Sequence, residues 1–201
     1  MPRPWKSDGN SGVYGASLVE ERPTCAAFLG EIVAQWSHAE SLLAHMYAEL
    51  VVGSLLIGVP QHPGNWIAME TFDLITNFGQ RIEMLVKAAK SRRFDAATVD
   101  EYRTLLQKLQ KANGARIHAA HGRWMIDKRY PTALVWLKNA GGISEALIYE
   151  TSDFQEALHR VVDRVARLDH FWQMRIKPTL ERATKFHIKY LRAMEDFEEP
   201  V

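Results

Sequence analysis

The chain has 201 residues, 47% apolar and 24% charged, which suits one globular domain with a sizeable core. Its net charge of +1 excludes a global field pulling it onto nucleic acid or anionic lipid, and its single cysteine, Cys25, excludes an intrachain disulfide and a cysteine-based zinc site. No secretory apolar stretch follows Met1, and the longest apolar run, Leu50 to Val59, is too short to span a bilayer, so the expectation is a cytoplasmic protein with no membrane partner.

Residues 1–22 carry Pro2, Pro4, Gly9, Gly12 and Gly15 among polar neighbours and read as an irregular arm, with Trp5 and Tyr14 as residues able to pin it. From Thr24, Phe28, Ile32, Trp36, Ala39, Leu43, Met46 and Leu50 recur at helical spacing, so a first helix runs to Val52 and stops at Gly53. After a turn-rich connection, Asn65 caps a second helix from Trp66 to about Ala89. Its basic end (Lys87, Lys90, Arg92, Arg93) reads as a solvated helix terminus, with phosphate binding as the alternative. Asp95 starts a third helix, with Val99, Tyr102, Leu105, Leu106 and Leu109 on one face. It passes Gly114 and ends at His121, with Gly122 as its left-handed C-terminal residue. The period then shortens. Thr132 to Lys138 and Ile143 to Glu150 read as a hairpin around Asn139–Gly142. Ser152 or Asp153 caps a fourth helix that Pro178 ends or kinks, and helix resumes from Thr179 to about Met194. The expected fold is all-α: a bundle of four to five long helices with a small β-hairpin at about 132–150, as a single domain over 23–196.

The chemistry concentrates in Asn113 to Trp124. Arg116 is a permanent, fork-shaped cation suited to phosphate oxygens, and His121 is a proton-transfer group near neutrality. Together they supply two of the three roles that metal-free RNA cleavage needs: charge stabiliser, acid and base. The third falls to His118 or to a second copy of His121. Residues five apart on a helix differ by about 140° and roughly 7.5 Å of rise, so the pair does not converge within one chain, and a two-fold dimer brings two pairs to one cleft.

Arg116-x4-His121 followed by Gly122, after a long amphipathic helix, resembles the signature of HEPN-domain proteins. The layout is similar from about Thr24 to Trp124. The resemblance implies an all-α homodimer and a metal-independent endoribonuclease of toxin or phage-defence type, with Arg116 and His121 catalytic, no cofactor and no metal. RNA and a cognate antitoxin or regulatory protein are the partners it suggests. The family commonly has Asn directly after the Arg, whereas this chain has Ile117. A catalytically inactive HEPN-like interaction or regulatory module is therefore the alternative.

Supporting residues are Glu40, expected to pair with Arg116, together with His118 and Asn113. Arg123, Lys128 and Arg129 extend the basic character as RNA contacts, or else form a solvated loop. His121 has a structural alternative as a cation at a helix C-terminus. Trp36 and Trp124 read as core or interface aromatics. Metal binding is the rival chemistry, through His118-x-x-His121, Glu156-x-x-His159 or His38 with His45, but one Glu-x-x-His falls short of a carboxylate-bridged dimetal site.

Overall fold

The computed structural model describes residues 1–6, 12–13, 18–53, 63–138 and 145–195. The helices are α1 (Leu18–Glu21), α2 (Pro23–Val52), α3 (Pro63–Asp73), α4 (Phe78–Ser91), α5 (Ala96–His121), α6 (Thr151–Phe171) and α7 (Lys177–Glu195), with a π-helical turn, Trp172–Ile176, joining the last two. The strands are β1 (Arg3–Pro4), β2 (Gly12–Val13), β3 (Arg123–Asp127), β4 (Ala133–Lys138) and β5 (Glu145–Glu150). The chain divides into two compact units, residues 1–38 with 111–164 and residues 39–110 with 165–201.

The first unit holds the five strands found among the described residues, antiparallel in the order β1-β5-β4-β3-β2. The expected hairpin is the β4–β5 pair, from Ala133 opposite Glu150 to Lys138 opposite Glu145, and its turn lies outside the described residues. The sheet is larger than that hairpin. β3 adds a third strand, and the expected arm supplies both edges. Side chains alternate across the sheet. Ile126, Leu134 and Tyr149 pack with Cys25, Leu29 and Ile32 of α2 and Phe154 and Ala157 of α6. Met125, Val135 and Ile148 face the other way, where Trp5 and Tyr130 cover them. Trp5 fixes the arm, as expected: its backbone N–H donates to Ala146 O (2.8 Å) and its indole N–H to Asp127 Oδ2 (2.7 Å). Tyr14 lies outside the described residues.

The second unit is helical among its described residues. Leu43, Met46, Leu50, Phe72, Leu85, Tyr102, Leu106, Leu109 and Trp172 are buried. Tyr102 donates to Met46 Sδ (3.7 Å) and stacks on Phe171. The second helix of the sequence reading is two helices, broken at 74–77. Asn77 caps α4 by accepting from Gln80 N (3.1 Å). Buried Arg81 makes the break permanent, donating to Ile75 O (2.6 Å) and Asp73 O (3.1 Å) with its guanidinium over the Phe72 ring. Arg92 serves the end of α2 in the same way, donating to Leu50 O and Val51 O. Gly53, at φ 103°, is the left-handed residue closing α2.

One expectation about a helix end is corrected. Asp153 is not the N-cap of α6. It sits one turn inside, and its carboxylate reaches back to accept the Glu150 N–H (2.9 Å), the reciprocal half of a capping box. Of the two outcomes expected at Pro178, an end or a kink, the helix does not end: it continues through a local irregularity. The π turn widens the ladder just before Pro178, with Lys177 N–H bonding Trp172 O, and so absorbs the donor that proline lacks.

Candidate functional site

α5 delivers the Arg-His stretch to the first unit, and its last turns present two different faces. Ala115 and Ala119 pack into the core beside Trp124 and Tyr149. Ile117 (45% exposed), Ala120 and His121 face solvent, and Arg116 is half-buried. Among the described residues, neither Arg116 nor His121 has a side-chain hydrogen bond or ion pair. Helix geometry keeps the two apart within one chain, by about 140°.

His118 is on the inner face and is committed. Its Nδ1 lies 2.9 Å from the Tyr149 hydroxyl, and its ring stacks on Trp136 at 4.0 Å. Burial, with a smaller contribution from Lys138, holds its pKa below the ordinary histidine value and so favours neutral imidazole. Burial likewise raises the Tyr149 phenol. The carbonyl of His118 accepts from Trp124 Nε1 (3.2 Å) and from Gly122 N (2.9 Å).

Gly122 is not in the left-handed conformation expected of it. Among the described glycines only Gly53 has positive φ. Its role is steric: a Cβ here would collide with the His118 carbonyl oxygen and come within 2.8 Å of the Trp136 ring. Glycine thus lets the chain turn from α5 straight into β3 beneath an indole.

The remaining expected residues are dispersed. Glu40 pairs with Arg81 (3.4 Å) rather than with Arg116, so the expected Glu40–Arg116 bond is corrected. Arg81 wins because its own fork is already fixed beside Glu40 by two backbone carbonyls. Asn113 has a buried Oδ1 without a hydrogen bond among the described residues. Arg123 and Lys128 are exposed. Arg129 folds onto buried Asp127 through contacts of 2.6 to 3.1 Å, donates to Lys6 O (3.0 Å) and lies over the Trp5 ring. That ion pair, with the bonds from the Trp5 indole N–H and the Arg129 backbone N–H, holds the Asp127 carboxyl down at about 2. Among the described residues no group of three or more His, Cys, Asp or Glu could hold a metal ion.

One feature of this unit had no counterpart in the sequence reading. A cavity of about 290 Å³ lies behind α5, walled by Leu29, Ile32, Ala115, Ala119, Trp124 and Phe154. His118, Tyr149, Asp153 and Arg160 bring polar groups to it. The signal for it was the phase of the α5 stripe, because Leu109, Ala112, Ala115 and Ala119 continue the buried face and carry His118 with them.

No helix among the described residues is long and apolar enough to cross a membrane. No protein-family model matches the chain, and no curated protein or solved structure matches it significantly.

Proposed function

We propose that the chain is a HEPN-like, metal-independent endoribonuclease whose site is completed by a second copy. The supporting observation is a contrast between arginines. Arg81, Arg92 and Arg129 donate to named carbonyls and carboxylates, whereas half-buried Arg116 and exposed His121 make no side-chain hydrogen bond or ion pair among the described residues. In this reading Arg116 binds a nonbridging oxygen and stabilises the phosphorane charge. One His121 takes the 2′-hydroxyl proton as the 2′-oxygen attacks phosphorus. The other gives a proton to the departing 5′-oxygen. The products are a 2′,3′-cyclic phosphate and a 5′-hydroxyl. His118 stays outside the chemistry, since its ring is held by Tyr149 and Trp136.

A second reading has its own support. Ile117, exposed between Arg116 and His121, is an apolar contact where the family commonly has a polar residue. This favours an interaction module that dimerises without cleaving.

Structured and single-stranded RNAs incubated with the protein in EDTA test both. Cleavage lost in Arg116→Ala and His121→Ala, by roughly 10² to 10⁴ for the histidine, supports the nuclease. An intact dimer that cleaves no RNA supports the module. Activity that requires a divalent metal, or a protein that sediments only as monomer at micromolar concentration, defeats the composite site.

A further inference from the structure

A pocket of about 290 Å³, open to solvent on one side, lies against the packed core of the first unit, and its largely apolar lining with a few polar groups is that of a small-molecule site. The volume is at the small end for ligand sites, which fits one ring or two fused rings. The walls are apolar and aromatic, with the Trp124 and Phe154 rings 5.4 Å apart and Tyr149 edge-on to Trp124.

The polar groups define the rest of the ligand. Asp153 is already matched, accepting from Glu150 N and lying 2.8 Å from the α-amino group of Met1. Arg160 is matched by Glu156 at 2.7 Å. No unmatched charge is left for an ionic ligand to meet, and burying one would leave it uncompensated. The His118–Tyr149 pair is different. A neutral imidazole has one donor and one acceptor nitrogen, and Nδ1 shares a single proton with the phenol. The pair therefore retains one donor and one acceptor, whichever way that proton sits.

We propose that this cavity binds a compact, uncharged aromatic ligand carrying one hydrogen-bonding group, seated with that group at the His118–Tyr149 pair. Its wall on α5 is Gly114, Ala115, His118 and Ala119, and Arg116, Ile117 and His121 do not line it. Binding does not depend on the ribonuclease reading and is measured without RNA.

The test is calorimetric or ligand-observed NMR titration of the full chain with 4-methylphenol, indole and toluene, against phenethylamine and phenylacetate. Saturable binding of the neutral compounds, at least about tenfold tighter than of the charged pair, is expected. Tyr149→Phe should weaken 4-methylphenol roughly 2- to 10-fold, the value of one hydrogen bond, and leave toluene unchanged. Ala119→Leu and, independently, Ala115→Leu fill the cavity and should abolish binding, with cooperative melting as the control for folding. The proposal is overturned if neither 4-methylphenol nor indole saturates, if the charged compounds bind equally well, or if binding survives in both filled variants.

Discussion

Asp127 joins the β3 strand, the Trp5 side chain and Arg129, and its replacement by Asn is the most informative perturbation of the first unit. The side chain is fully buried, and its carboxyl is held at about 2, against an ordinary value of 3.8. At roughly 1.4 kcal/mol per unit, the difference of about 1.8 is worth at most about 2.5 kcal/mol. Arg129 is 35% exposed, so water screens part of this, and about 1 to 2 kcal/mol remains. The folded-state value is the lower one, so the unfolded chain takes up the proton first on acidification. The contribution is therefore complete above about pH 5 and disappears as pH falls through about 2. Asp127→Asn keeps the shape but loses the charge. It turns an amide towards Arg129 and should cost about 2 to 3 kcal/mol at pH 7. Urea unfolding of both proteins from pH 7 to pH 2.5 checks this. The gap between them should narrow by about 1 to 2 kcal/mol across the acid limb, since every other carboxylate is common to both. A gap that stays constant with pH would show that Asp127 is not the anchor described.

Gly122→Ala should destabilise the chain by about 2 to 3 kcal/mol, because the added methyl meets a backbone carbonyl and an indole. For a chain of this size that lowers Tm by roughly 4 to 12 °C, and calorimetry reads it directly. A loss near zero would restore the reading of this residue as a simple helix stop. Arg81→Ala leaves the Asp73 and Ile75 carbonyls and the Glu40 carboxylate short of a donor, at about 2 to 4 kcal/mol. Arg81→Lys, which cannot reproduce the fork, should recover less than half of that loss in the same denaturation assay.

The sequence exposed the long helices well because their signal is periodic and repeated. Ile32, Trp36, Ala39, Leu43, Met46 and Leu50 read as one stripe of α2, and all are buried. What it hid depends on contacts that periodicity does not encode. The break between α3 and α4 leaves the apolar pattern intact and is written instead in Arg81, which reaches six and eight residues back to bare carbonyls. β3 offers only Trp124, Met125 and Ile126 in a row, too short to distinguish a strand from the frayed end of a helix. The composition of Glu40 announces that it needs a cation, but not which arginine supplies it. At the candidate site, the chemistry of Arg116 and His121 was readable from residue type. The capture of His118 was not, because Tyr149 and Trp136 come to it from strands 31 and 18 residues further on.

The two-residue strands of the arm have a consequence for how the protein avoids its own kind. A three-stranded meander has two free rims of unpaired backbone donors and acceptors, each a template on which another chain can grow. Here β1 lies along β5 at Leu147 and Ile148, and β2 along β3 at Ile126 and Asp127, so a single short arm covers part of both rims. Trp5 in the same arm covers apolar residues on the outer sheet face. Four paired residues and one indole thus shield part of the backbone that would otherwise offer another chain a strand to pair with. Removal of the arm should therefore leave both rims open to strand addition.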